Sequence, residues 1–259
     1  MPQGLAFCFL KMGKKHGFFL LWLPIMQFGG IIPLSVMGCE SMKRYDAVLF
    51  DVDGTLIHSA PGILYTLQKT FEAMGTDIGG VDLMRYVGPP LRRTFGEYYA
   101  DTSDIERAVT VYRGIYREQG RHMCALYDGV PQMLKSLSDG GVLLYTATSK
   151  PVQVVEPMLE ELGIAGFFRQ IGGASMDAAR DTKTAVIRSL LSLPALDGMR
   201  VLMVGDRADD MAGAAECFLP AAAAAYGYGA PAEWEPFCPV YVAKDCRALT
   251  QFVLDGEMI

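Results

Sequence analysis

The stretch YDAVLFDVDGTL, residues 45–56, decides the fold. Its first half is an apolar run of strand length, and Asp51 and Asp53 follow just past its carboxyl end, where open α/β sheets bind ligands. Side chains alternate along an extended strand, so the two acids point toward one site while Val52 turns away. Like charges so close are unfavourable without a cation beside them. Gly54 permits the turn that brings backbone near a phosphate, and Thr55 offers that phosphate a hydroxyl. A solvated Asp-Gly turn would explain Gly54 but not an acid directly after the apolar run.

From Tyr45 onward strand-like runs alternate with helical periods, the pattern of a parallel sheet covered on both faces. The strand candidates are residues 45–50, 142–147, 167–173, 201–205, 221–225 and 240–243, with helices starting near Pro151, Thr182 and Arg207. The run at 221–225 is five alanines, helix formers by propensity, and its reading as a strand rests on its place between a helix and Gly227. Between residues 60 and 128 the strand signal stops. Ile63, Leu67, Phe71 and Met74 recur at helical steps, as do Ile105, Ala108, Val109, Tyr112, Ile115 and Tyr116, while Gly88, Pro89 and Pro90 break the helices between them. The expected architecture is therefore α/β: a Rossmann-like parallel-sheet core over 42–59 and 129–259, with a small all-helical cap, 60–128, inserted after the first strand.

A chain of 259 residues with 51% apolar and 20% charged residues can bury a sizeable core. The formal net charge is −6, and residues 1–41 hold Lys11, Lys14 and Lys15 against Glu40 alone, so the remainder is more acidic still. That excludes a nucleic-acid surface but leaves phosphate chemistry open, because one local cation can reverse the field inside a pocket. The six cysteines form no CxxC pair, which signals neither a zinc site nor a redox dithiol and fits a reducing, cytoplasmic compartment; Cys124 and Cys217 read as small buried residues. Residues 1–41 stand apart as an N-terminal extension. An uncharged stretch from Gly17 to Gly38 ends at Cys39, so residues 1–39 could be an export signal or anchor, with any membrane contact confined to 17–38. Pro24, Gln27, Gly29, Gly30 and Pro33 weaken a spanning helix, and a true start at Met42 is the competing expectation.

Three further segments each put a necessary group at the end of another candidate strand. Thr148 and Ser149 offer hydroxyls to a phosphoryl oxygen, Lys183 opens a helix whose N-terminus also favours an anion, and Asp206 follows VLMVG with Asp210 four residues on. Hard Mg²⁺ takes carboxylate and carbonyl oxygens, and Asp206 supplies one that Asp51 and Asp53 need beside them. Singly these are caps and solvated charges; their joint order is not explained that way.

With DVDGTL (51–56), the Thr148 segment, Lys183 and GDRADD (205–210), residues 45–254 resemble the haloacid dehalogenase superfamily. Within it, YVGPPLRRTF (86–95), YDGVPQMLKSL (127–137), ATSKP (147–151) and GASMDAARDTK (173–183) are most similar to the phosphoglycolate phosphatase and 5′-nucleotidase-like branch. The resemblance implies a Mg²⁺-dependent phosphomonoester hydrolase acting on a small phosphorylated metabolite, with Asp51 as nucleophile and Asp53 as general acid and base. It implies Thr148, Ser149 and Lys183 as phosphoryl ligands, Asp51, Asp206 and the main-chain carbonyl of Asp53 as metal ligands, and Asp210 behind them. His58 stands where relatives often carry an acid, and a hinge or substrate-edge place is expected for it. Lys150 rivals Lys183 as the phosphoryl-binding lysine, but the adjoining Pro151 makes it look like the start of a helix.

A dehalogenase would not need Asp53, since no oxygen leaving group has to be protonated. A phosphomutase would use the same residues as a phosphatase, and a non-catalytic, membrane-tethered phosphate sensor would be expected to lack Asp51, Asp53 or Lys183. For reading the leaving group, Arg92 and Arg93 are the candidates, against an ordinary role as solvated helix charges.

Overall fold

The computed structural model describes residues 43–176 and 180–255; the expectations placed on residues 1–41 and on Met42 lie outside them. The strand β1 (Ala47–Phe50) is buried along its whole length. Val48 and Phe50 enter one apolar layer and Ala47 and Leu49 the other, which is why the run reads as continuously apolar rather than alternating.

The chain then leaves the sheet through a short antiparallel ribbon, β2 (Ile57–His58) and β3 (Ala125–Leu126), in which Ile57 faces Leu126 and His58 faces Ala125. The regular elements between these strands are helical: α1 (Ala60–Met74), a 3₁₀ turn at Leu83–Tyr86, α2 (Leu91–Gly96), α3 (Thr102–Glu118) and a 3₁₀ turn at Gly120–His122. Ile63, Leu67 and Phe71 on α1 are buried, as are Ala108, Val109, Tyr112 and Tyr116 on α3, so the helical spacing marks the packed faces. Phe71 is fully buried, with the Phe95 ring at 5.6 Å and the Tyr98 ring at 4.6 Å. Phe71→Ala should lower unfolding stability by about 3–5 kcal/mol, read as a drop in the denaturant midpoint. A cost under about 1 kcal/mol would mean that this core can collapse around the gap.

After β3 follow α4 (Val130–Asp139), β4 (Leu143–Pro151), α5 (Val152–Glu161), β5 (Gln170–Ala174), α6 (Lys183–Leu191), β6 (Val201–Gly205), α7 (Ala208–Glu216), β7 (Ala221–Ala224), α8 (Pro231–Trp234), β8 (Tyr241–Ala243) and α9 (Cys246–Leu254). The six long-range strands form one sheet in the order β5-β4-β1-β6-β7-β8, with every pairing parallel. Apolar residues of α4, α5 and α9 share the layer of Val48 and Phe50, and those of α6 and α7 share that of Ala47 and Leu49. The architecture is thus α/β and Rossmann-like.

The alanine run is a buried strand paired on both sides, by β6 and by β8. Pairing on two edges outweighs alanine's helix propensity, which is worth only tenths of a kcal/mol per residue. Expected boundaries move: of residues 167–173, only Gln170 onward is strand, because Ala165–Phe167 closes a 3₁₀ turn, and the strand expected at 142–147 runs on to Pro151. Among the described residues, no helix is long and apolar enough to cross a membrane.

The chain runs outward from β1 to β4 and β5, then returns to build β6, β7 and β8 on the other side. The reversal makes the carboxyl end of β1 a topological switch point. Phe50 lies level with Thr146 of β4 and Val204 of β6, so Asp51, Thr148 and Asp206 follow those positions by one or two residues and lie at one edge, although β4 itself runs on to Pro151.

Candidate active site

Asp51 and Asp53 both lie at that edge and both are buried, but different lysines hold them. The Lys183 ammonium is 2.7 Å from Asp51 Oδ1, 2.7 Å from Asp210 Oδ1 and 2.9 Å from the Ala147 carbonyl, to which it donates. It is the first residue of α6, whose start is capped by the Thr182 hydroxyl accepting from the Ala185 amide. Asp53 Oδ1 accepts from the Ser59 hydroxyl and, at 2.8 Å, from the Lys150 ammonium. Lys150 also donates to the Tyr116 hydroxyl at 2.9 Å and sits 4.8 Å above the Tyr116 ring.

Asp206 is fully buried; its Oδ2 accepts from the Tyr228 amide at 2.8 Å and its Oδ1 from the Thr55 hydroxyl at 3.3 Å. Thr55 therefore orients a carboxylate, not a phosphate as its sequence position suggested. Asp210 Oδ2 accepts from the Arg207 amide at 3.0 Å in the first turn of α7. The loops approach closely: Gly54 has φ +87°, and a Cβ there would lie 2.3 Å from Asp206 Oδ2. At Gly227 a Cβ would lie 2.3 Å from the Gly54 carbonyl. Only glycine fits at either place.

Asp51, Asp206 and Asp210 each offer an oxygen within 4.8 Å of the others. Burial, then Asp210, pushes the Asp51 carboxyl up, and Lys183 offsets part of this. Burial also raises Asp206, with Asp210 and Asp51 adding to it. Burial would lower Lys183, yet Asp210 and Asp51 outweigh it and its affinity for the proton rises. Three converging carboxylates with one lysine are an anionic, desolvated set of hard oxygen donors. A divalent cation is what such a set fits.

The Thr148 hydroxyl is buried and accepts from the Lys150 amide at 3.2 Å, which leaves its own proton to donate. Ser149 lines two hollows. One is a cavity of about 240 Å³ bounded by Asp53 and Lys150 below and by Tyr86, Tyr112, Arg113 and Tyr116 of the helical insertion above. The other, wider and more open, holds Lys183, Arg92 and Arg93. The structure places Arg92 against Glu106 and Asp181 and Arg93 against Asp209, so both fasten the insertion to the core and neither lines the cavity beside Asp53. His58 is on the ribbon, its Nδ1 3.1 Å from the Tyr228 hydroxyl.

Sequence reasoning undervalued Lys150. It is the eighth residue of the nine-residue β4, not a helix start, and its side chain is only 10% exposed. Burial acts to lower it, but Asp53 and Tyr116 more than compensate and hold it protonated. The available signal was parity, since Thr148 and Lys150 are two apart on one strand. Tyr116, read only as a core residue, supplies the contact from the insertion.

Residues 48–224 match the family described as haloacid dehalogenase-like hydrolase. The chain belongs to that family. A 5′-nucleotidase of Pseudomonas aeruginosa is 34% identical over 216 residues, 82% of this chain and 97% of the relative. Phosphoglycolate phosphatase of Pseudomonas putida is 30% identical over 213 residues, 78% of this chain and 77% of its own. The tyrosine-protein kinase PtkA of Mycobacterium tuberculosis is 36% identical over 183 residues, which cover 70% of this chain but only 62% of that protein. Among solved structures, a predicted phosphatase from Clostridium acetobutylicum superposes with a TM-score of 0.76 and 33% identity, covering 82% of this chain and 99% of its own. Family membership and the two relatives matched over nearly their whole length, the 5′-nucleotidase and the predicted phosphatase, make the chain an enzyme, a haloacid dehalogenase-like phosphatase.

Proposed function

We propose that this phosphatase hydrolyses a small phosphorylated metabolite, such as phosphoglycolate or a nucleoside monophosphate, with Mg²⁺ and through a phosphorylated Asp51. The observation that carries the reading is the separation of the two acids. Asp51 sits with Lys183 in the carboxylate cluster, and Asp53 sits with Lys150 and Ser59 at the floor of the cavity.

In the first displacement an Asp51 oxygen attacks phosphorus. The bond from phosphorus to the leaving oxygen breaks, and Asp53, having taken a proton from solvent as the substrate enters, gives it to that oxygen. In the second, Asp53, now a carboxylate, takes a proton from a water whose oxygen attacks phosphorus. The bond to Asp51 breaks, phosphate departs, Asp53 gives that proton back to solvent, and both acids return to their starting states. Lys183 and the hydroxyls of Thr148 and Ser149 hold the non-bridging oxygens. Asp51, Asp206 and the main-chain carbonyl of Asp53 would hold the cation, with Asp210 beside them, and it would neutralise charge on the phosphoryl oxygens. Residues 60–128 act as the cap that closes over the leaving group and excludes water.

Chelation tests the metal. Exhaustive treatment with EDTA should lower turnover of para-nitrophenyl phosphate by about 10²-fold or more, and Mg²⁺ should restore it. Undiminished turnover in protein shown to be metal-free would remove the cation from the mechanism.

A further inference from the structure

Seven arginines lie in the helical insertion, and six of them are in ion pairs. Arg85 meets Glu97, Arg92 meets Glu106 and Asp181, Arg93 meets Asp209, Arg107 meets Asp104, Arg117 meets Glu118, and Arg121 meets Glu161. Arg113 has no ion pair among the described residues. Its one hydrogen bond there is long, 3.4 Å from Nη1 to the Met176 carbonyl, and its buried Nε has no acceptor among the described residues. Glu106 and Asp181 are near enough to act on it through space, but Arg92 engages both carboxylates. Folded proteins rarely leave a buried charged donor unpaired, so a donor with no partner among the described residues points to an acceptor beyond them.

The place where that donor sits says what the acceptor belongs to. Arg113 lines the same cavity as Asp53, Lys150 and Ser149, whose walls are otherwise mainly apolar, Ile63, Leu91, Tyr112 and Val154 among them; Arg117 and Arg121 also reach it, but they pair with Glu118 and Glu161. A volume of about 240 Å³ is roughly eight times the share of one liquid water. A two-carbon leaving group would fill only a fraction of it. Arginine is also the side chain suited to a planar or multi-oxygen anion, through its fork of parallel N–H donors.

We propose that Arg113 reads a second anionic group carried by the leaving part of the substrate, and that an apolar or aromatic body joins this anion to the phosphate ester. The proposal rests on the phosphatase reading above and narrows its substrate class to esters larger than phosphoglycolate and, unlike a nucleoside monophosphate, anionic on the leaving group. The esterified phosphate lies toward Asp51, the body fills the space beside Tyr112 and Leu91, and the far anion meets the Arg113 fork.

Binding decides the matter apart from catalysis. In Asp51→Asn protein with Mg²⁺, calorimetry should show para-carboxyphenyl phosphate or para-phenylene bisphosphate binding tighter than phenyl phosphate. The margin should be about tenfold or more, the scale of one charge-assisted hydrogen bond. Whichever of the two gains more identifies the anion as carboxylate or phosphate. Adding Arg113→Met should close the gap while leaving phenyl phosphate affinity within about twofold, and Arg113→Lys should keep part of it, since lysine retains the charge without the fork. Equal affinities for all three esters in Asp51→Asn protein would overturn the assignment. So would a gap that survives Arg113→Met, or a loss that falls equally on phenyl phosphate. Turnover of phenyl phosphate by protein with Asp51 intact is measured separately: its absence strikes the phosphatase reading alone, while the binding comparison still judges Arg113.

Discussion

Asp51→Asn should yield a folded protein whose phosphatase turnover is lower by about 10³-fold or more, the scale on which removal of a nucleophile acts. A neutral amide oxygen is a poor nucleophile toward phosphorus, and the change also takes one of three oxygens from the Asp51, Asp206 and Asp210 cluster. The expected stability effect runs the other way. In metal-free protein the Asp51 carboxyl is pushed up by burial and then by Asp210, so its ionised form is a cost to the fold. Lys183 would keep Asp210 at 2.7 Å and the Ala147 carbonyl at 2.9 Å, so removing one negative charge strands no cation. Metal-free Asp51→Asn should therefore melt no lower than its parent. Steady-state rates with para-nitrophenyl phosphate and a circular dichroism melt check both halves. A folded variant within about tenfold of parental activity would mean that Asp51 does not attack phosphorus.

Much of this arrangement could be read before any coordinates, for a physical reason. In a doubly wound sheet, position along the chain translates directly into position in space: whatever follows a strand's carboxyl end lies at the ligand edge. Asp51 after β1, Thr148 toward the end of β4 and Asp206 after β6 follow that rule, and the register of the three strands brings them within one position of one another. Lys183 was legible because it starts a helix, α6, that covers the sheet.

What sequence could not give is partnership across elements far apart in the chain. Lys150 and Asp53 are 97 positions apart, and Lys150 and Tyr116 are 34 apart, so neither contact leaves a local signature. Arg92 and Arg93 show the same limit. Their spacing beside a Gly-Pro-Pro break marks an exposed helix start, yet the partners that occupy them, Asp181 and Asp209, come from the core. The alanine strand was legible only by position, since its composition argues for a helix.

Asp53→Asn should fail differently from Asp51→Asn, by trapping the enzyme between its two displacements. The nucleophile, Lys183 and the carboxylate cluster are untouched by this change. With para-nitrophenyl phosphate the leaving oxygen needs little protonation, so attack by Asp51 on phosphorus can proceed without an acid. The second displacement has no such relief, because a neutral water must attack phosphorus and the amide that replaces the Asp53 carboxylate cannot take its proton. Loss of the base should slow that step by about 10²- to 10⁴-fold, and phosphoenzyme should accumulate. Geometry favours the trap: the amide oxygen can still accept from Ser59 and Lys150, so the side chain stays in place. Charge does not, because Lys150 is largely shielded from solvent and loses the carboxylate that holds it protonated. The variant should be less stable by a few kcal/mol, as when one partner of a buried pair is removed, and is best assayed well below its melting point. Rapid acid quench followed by mass spectrometry should find one added phosphoryl group, confined to the peptide containing Asp51. If slow turnover persists in Asp53→Asn with no adduct at any quench time, direct attack by water on the substrate becomes the better account.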